Sequence, residues 1–91
     1  MMGLNNEVHN RYIEKLKNRL FGVLCEREKK GGWEKYLDSI VIELGAMIEE
    51  SPTINLLTIS HKLGTLKYLN YEYFRKTIFE CMNLLSIEQE E

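Results

Sequence analysis

Four stretches of this chain repeat their apolar residues at the spacing of an amphipathic α-helix. The first covers residues 8–27, where the apolar side chains occupy one face about 160° wide at 100° per residue. The second covers residues 33–48 and keeps its stripe, which includes Val41, for four turns. The third and fourth cover residues 56–69 and 71–85. A helical period kept over so much of the chain predicts an all-α protein.

The residues between these stretches are those that typically end and begin helices. Gly31–Gly32 follows the first stretch, and glycine readily takes the left-handed conformation that closes a helix. Ser51–Pro52 ends the second stretch, because proline cannot continue the helical hydrogen-bond ladder. Ser51 or Thr53 is the predicted N-cap of the third helix, and Asn70 is that of the fourth. These helix-ending and capping residues therefore predict four helices joined by short connections.

The length of 91 residues fits one domain with a modest core. The sequence lacks the strict alternation of apolar and polar residues that marks a half-buried strand. Because short connections favour antiparallel neighbours, we expect a small bundle of four helices, with an orthogonal array of four helices as the alternative. Residues 1–91 are expected to form a single helical domain whose N-terminus, residues 1–6, and acidic C-terminus, residues 88–91, fray.

The charge balance is mild, with 12 Lys and Arg against 14 Asp and Glu and a formal net charge of -2. This balance lacks the basic excess of a nucleic-acid-binding surface. The N-terminal residues do not have the pattern of a signal peptide, and no window approaches the roughly 18 apolar residues of a membrane span. Cys25 and Cys81 form no CxxC pair, which favours reduced thiols. We therefore expect a cytoplasmic protein that does not enter a membrane.

The residue types that usually carry chemistry are scattered along the chain. His9 and His61 each stand alone, without a second ligand at a helical metal-binding spacing. Cys81 lies on the apolar stripe of the fourth stretch, where a thiol is a packing residue with a raised pKa. Cys25 falls on the polar side of the first stretch, and the glycines match neither a P-loop nor a dinucleotide fingerprint. We expect no enzymatic activity, no metal and no cofactor.

The third and fourth stretches carry more apolar residues than one helix face needs. A second apolar set lies opposite the main stripe of the third stretch, with a glycine that lets another helix approach closely. The expected contact residues are Phe21, Cys25, Ile54, Leu57, His61, Gly64, Tyr68 and Phe79. These residues predict a noncatalytic helical interaction or adaptor protein that forms a homodimer or binds a protein partner. Alternatively, the third and fourth helices occupy the bundle centre and use both flanks internally.

The alternative function is that of a DNA-binding regulator with an irregular helix-turn-helix around residues 56–82. Lys67, Arg75 and Lys76 would then be the DNA contacts. Two features of the sequence oppose this interpretation. The apolar period continues past the position where a short turn should fall, and Glu72 and Glu80 share the outward face of the fourth stretch with its cations.

Overall fold

The computed structural model describes residues 2–29 and 31–89, with side chains from Glu7 onward. It contains the helices α1 (Met2–Lys29), α2 (Trp33–Glu50), α3 (Ile54–Thr65) and α4 (Tyr71–Glu88), with a 3₁₀ turn at Leu66–Tyr68 between the last two. Within the described residues there is no strand. The predicted all-α class with four helices is confirmed.

The turn between α1 and α2 depends on two consecutive glycines. Gly31 and Gly32 have φ angles of 83° and 76°, in the left-handed region that side chains disfavour. The amide of Gly31 donates to the main-chain oxygen of Glu26 at 3.1 Å, which satisfies a carbonyl left open at the end of α1. This tight closure turns the chain so that α2 runs back along α1.

Side-chain caps begin α3 and α4. The Thr53 hydroxyl oxygen accepts a hydrogen bond from the amide of Leu56 at 3.1 Å, so Thr53 rather than Ser51 is the N-cap of α3. The Asn70 side-chain oxygen accepts from the amide of Tyr73 at 3.0 Å and caps α4 as predicted. Each cap satisfies an amide that lacks a partner within the first turn of its helix.

The four helices pack as antiparallel neighbours in an elongated body of 44 × 22 × 19 Å. Contacts run from α1 to α2, from α2 to α3, from α3 to α4 and from α4 back to α1. α1 has 28 residues against 18 in α2 and in α4, so it spans about 42 Å against about 27 Å and sets the length of the bundle.

The core consists of one apolar face from each helix. The buried side chains are Ile13, Leu16, Leu20, Val23, Leu24, Trp33, Leu37, Ile40, Leu44, Leu56, Ile59, Leu63, Leu66, Phe74, Ile78, Cys81 and Leu85. Among the described residues, no polar or charged residue is buried. Burial of apolar side chains therefore holds the core together. The spacing of these side chains in the sequence decides which face of each helix is buried.

An aromatic cluster closes the end of the bundle where α1 stops and α2 and α4 begin. The rings of Trp33 and Phe74 meet edge to face, with centroids 4.8 Å apart. The Arg27 guanidinium lies over Phe74 at 4.3 Å, and over Trp33 and Tyr71 at 5.8 Å each. Its Nη2 donates to the main-chain oxygen of Leu69 at 3.3 Å. We call Arg27, Trp33, Tyr71 and Phe74 the Arg27 cluster; it ties three helices together.

The opposite end of the bundle is tied by the last residues of α4. The Glu88 carboxylate accepts hydrogen bonds from Thr53 at 3.1 Å and from Asn55 at 3.0 Å, while His9 donates to the Glu88 main-chain oxygen at 2.9 Å. The Gln89 side chain donates to Glu14 at 2.8 Å. Residues 88 and 89, expected to fray, thus hold hydrogen bonds to α1 and α3, whereas residues 1, 90 and 91 lie outside the described part of the chain.

Candidate interaction surface

The outward side of α3 is an apolar surface that the protomer leaves open. Ile54 is 79% exposed, Leu57 is 51% exposed, and Tyr68, in the 3₁₀ turn just beyond the helix, is 86% exposed. His61 and Gly64 lie between them and are also exposed. We call these five residues the α3 stripe. The structure therefore brings five of the eight expected contact residues onto one continuous surface.

The α3 stripe is free of charged side chains. Lys62 is the one charged residue of α3, and its ammonium group pairs with Glu80 of α4 at 3.2 Å. Asn55 likewise binds α4, through Glu88. Both side chains lie on the α4 side of α3, well round the helix from Leu57 and Gly64. An exposed helix face without charge has the composition of a protein interface core, where charged residues are depleted.

Gly64 leaves a gap in the middle of this surface. A Cβ atom added at Gly64 would meet no heavy atom within 4 Å beyond the two adjacent residues and the backbone of its own helix. The glycine is therefore not required by packing inside the protomer. Its effect is on the outside, where the absence of a side chain lets another helix approach the α3 backbone.

A second apolar site lies across α1 and α2. Phe21 is exposed on α1, and Cys25, one turn later, is half-buried in an open groove of about 390 Å³. Tyr36 of α2, which the sequence analysis did not single out, is exposed and lines the same groove. Tyr36 lies off the main stripe of its helix, and its position beside Cys25 follows from how α1 packs on α2. We call this site the Cys25 groove.

Polar contacts at the rim of the Cys25 groove hold α1 and α2 in place. Arg19 donates to the Ser39 hydroxyl at 2.8 Å and pairs with the Glu43 carboxylate. These contacts satisfy groups that a small ligand would otherwise use. The groove is therefore a weaker candidate for partner contact than the α3 stripe.

Phe79, the remaining expected contact residue, is partly occupied within the protomer. Its ring is half-buried against the core, and the Arg75 guanidinium lies 5.2 Å from the ring centroid. The sequence pattern had left Phe79 alone on the charged side of α4. The packing of α4 against its neighbours covers much of the ring, so little of it is open to a second molecule.

The DNA-contact residues lie on a helix pair that differs from a helix-turn-helix. Lys67, Arg75 and Lys76 are all exposed. However, Asn55 reaches Glu88 and Lys62 reaches Glu80, so α3 and α4 lie side by side in antiparallel orientation over their length. A helix-turn-helix joins its helices at about 90–120° and so projects the second helix toward the groove. The observed arrangement does not favour DNA binding.

The two cysteines differ in their surroundings, and both are free thiols. Burial raises the pKa of the Cys81 thiol to about 12, with the nearby Lys62 opposing and Glu80 adding to this shift. Cys81 therefore stays protonated near neutral pH, as a packing residue does. Within residues 2–29 and 31–89, no three His, Cys, Asp or Glu side chains converge in a group that could hold a metal ion.

A second open cavity of about 390 Å³ lies at the Glu88 end of the bundle. Tyr12 and Met47 contribute to an apolar wall, while His9 and Glu88 stand at the rim. Since the hydrogen bonds of His9 and Glu88 tie helix ends together, the polar groups here are occupied by the fold.

Comparison of the chain with protein-family models, with curated proteins and with solved structures finds no match. None of the described helices combines the length and the apolar character that crossing a membrane requires.

Proposed function

We propose that this chain is a noncatalytic helical interaction protein of the cytoplasm that self-associates through the α3 stripe. The observation that carries the proposal is the exposure of Ile54, Leu57 and Tyr68 on a helix face without charged side chains. Full burial of a Leu or Ile side chain contributes about 1.5–3 kcal/mol. Covering this stripe is therefore a driving force for association that the protomer leaves unused.

The chemistry of the remaining residues supports a binding role. Cys81 is buried and its pKa is raised, as expected of a packing residue. His9 donates to the main-chain oxygen of Glu88. The free thiols of Cys25 and Cys81 suit a reducing compartment, which supports the cytoplasmic assignment. An adaptor needs only a rigid scaffold and an exposed surface that binds a partner. The four-helix core provides the scaffold, and the α3 stripe is the proposed surface.

Sedimentation equilibrium over a range of protein concentrations tests this proposal. We expect the wild-type chain to self-associate, and Leu57→Asp to shift it to monomer because a buried unpaired carboxylate is strongly unfavourable. Phe21→Asp is the matched control, since Phe21 is 48% exposed against 51% for Leu57 but lies on α1, outside the α3 stripe. We expect Phe21→Asp to keep the wild-type association constant.

Two results would contradict the proposal. A wild-type chain that stays monomeric at the highest concentrations would remove self-association altogether. Equal loss of association in Leu57→Asp and Phe21→Asp would show that the α3 stripe has no special role. Circular dichroism verifies that each variant keeps its helices. We expect this result because both positions are exposed.

A further inference from the structure

The residues of the α3 stripe follow the spacing of a coiled-coil seam. Positions 54, 57, 61 and 64 of α3 are separated alternately by three and four residues, which is the a and d pattern of a heptad. Tyr68 continues this spacing in the 3₁₀ turn beyond the helix. The opposite face of α3, with Leu56, Ile59 and Leu63, is already buried in the bundle. α3 therefore has two apolar faces, one used by the protomer and one with a helix-pairing period that the protomer does not use.

The stripe is complementary in size to a second, antiparallel copy of itself. Reversing α3 about its midpoint at Ile59 places Ile54 opposite Gly64 of the second copy and Leu57 opposite His61 of the second copy. The first pair sets a large side chain against a position with no side chain and open space around it. The second pair sets an aliphatic residue against a ring that combines an apolar body with a polar tip.

The charges at the two ends of α3 favour the same orientation. Glu49 and Glu50 immediately precede the connection into α3, and Lys67 follows α3; all three are exposed. An antiparallel pair brings Lys67 of each copy close to the acidic end of the other. A parallel pair would instead place Lys67 beside Lys67 and the acidic ends beside each other, which like-charge repulsion disfavours.

The exposed side of α2 extends the apolar area of such a pair. Ser39 and Glu43 contact Arg19, so that side of α2 faces α1. Val41 lies about 160° round the helix from both of them, at 100° per residue, so it is on the side of α2 away from α1, where it is exposed. α3 is about 18 Å long, so two such helices alone bury less than the roughly 800 Å² per partner of a standard interface.

We propose that two copies of this chain pair through their α3 stripes in antiparallel orientation, with Ile54 against Gly64 and Leu57 against His61 of the second copy. This inference rests on the proposed self-association and adds its geometry. A second copy of the chain thus covers the α3 stripe. The two copies are related by a two-fold axis that crosses α3 at the level of Ile59 along the helix. Because the buried area is small, the dimer dissociates on dilution.

Oxidative cross-linking between introduced cysteines tests the register. Ile54→Cys and Gly64→Cys are prepared separately in a Cys25→Ser background, which removes the accessible natural thiol while the buried Cys81 stays. Each variant is oxidised alone and as an equal mixture. We expect the mixture to give about fivefold more disulfide-linked dimer than either variant alone, because a disulfide requires its Cα atoms within about 7 Å.

A second pair repeats the test with other residues. Leu57→Cys mixed with His61→Cys should cross-link as the first mixture does, and all four positions are exposed, so the fold tolerates them. Stronger linkage in the single variants than in the mixtures would overturn the antiparallel register. So would the absence of linkage in both mixtures while sedimentation still shows a dimer, an outcome that leaves self-association standing. A monomer in sedimentation would overturn both proposals.

Discussion

The outer faces of α3 and α4 differ although the two helices lie side by side. On α4, aromatic rings are each accompanied by a cation: Lys76 lies 5.8 Å from the Tyr73 ring, and Arg75 lies 5.2 Å from the Phe79 ring. On α3, the sole cation is Lys62, which turns away to pair with Glu80. The apolar surface of α4 is thus partly covered by its own chain.

The difference lies in what covers the apolar side chains on the outer faces of the two helices. A guanidinium or ammonium group over a ring removes part of the ring from water at little cost, because the long side chain packs along it. α3 has no side chain that can do the same for Ile54, Leu57 or Tyr68. The apolar surface of these three residues therefore remains exposed in the protomer, and the proposed association would cover it.

The largest expected effect is the difference in unfolding free energy between a substitution on the inner face of α4 and one on the outer face of α3. Phe74→Ala should lower the free energy of unfolding by about 3–5 kcal/mol, because it removes a fully buried ring. Leu57→Ala should change the free energy of unfolding of the monomer by less than about 0.5 kcal/mol. Urea unfolding at low protein concentration measures both, and Phe74→Leu replaces Phe74→Ala if the latter does not fold. Equal losses for the two helices would place Leu57 in the core.

The next effect compares a half-buried cation, Arg27, with an exposed one, Arg75. Arg27→Ala should lower the free energy of unfolding by about 2 kcal/mol, since Arg27 contacts the rings of Trp33, Tyr71 and Phe74 and binds the Leu69 oxygen. Arg75→Ala, which affects one exposed cation, should cost less than about 1 kcal/mol. Thermal unfolding of both variants measures the difference. A larger loss for Arg75→Ala would contradict the structural role of the Arg27 cluster.

The caps of the two helices give a smaller contrast. Thr53→Ala should cost about 1–2 kcal/mol, because Thr53 caps α3 and also donates to Glu88. Asn70→Ala should cost about 1 kcal/mol, for the cap of α4 alone. Urea unfolding measures both, and Thr53→Ser, which keeps the hydroxyl, should remain close to wild type. Equal costs for the two Ala variants would show that the bond to Glu88 adds nothing.

The smallest effect near neutral pH concerns Cys81. Because the pKa of its thiol is raised from 9.0 in the unfolded chain to about 12, the protonated form favours the folded state. This contribution is fully present below pH 9 and is lost as the pH rises from 9 to about 12. Stability should therefore be unchanged by this group from pH 7 to 9. Cys81→Ala should remove the alkaline decline, and an identical decline in that variant would assign it to other groups.

Local patterns in the sequence predicted most of the fold. The four apolar periods, the glycine pair and the Asn70 cap each act within a few residues, so no knowledge of the packing was needed to recognise them. The sequence left the cap of α3 open between Ser51 and Thr53, and the structure selects Thr53. The burial of Cys81 follows from the same period. The candidate surface was predicted in part, since Ile54, Leu57 and Tyr68 lie opposite the buried face of α3 in any arrangement of the bundle.

Other residues show where this local argument ends. Val41 belongs to the apolar stripe of α2 by its period, yet it is exposed at the edge of the core. Phe79 lies off the stripe of α4, yet it is half-buried. Tyr36 meets the groove that contains Cys25 across a helix boundary. In each case the burial depends on a neighbouring helix, whose position is not encoded in the period of the helix itself.

The sequence by itself determined that there are four helices, which residues separate them and which face of each helix is the most apolar, because those properties arise from hydrogen bonds and side-chain spacing within a few turns. The exact bounds came from the structure, in which α1 begins at Met2 and α3 ends at Thr65, before a 3₁₀ turn. Only the tertiary structure decided which residues at the margins of those faces are covered. It brought Glu88 to Thr53 and Asn55, set Arg27 among three rings and left the α3 stripe open. These contacts join residues far apart in the chain, and close packing of the four helices selects among them.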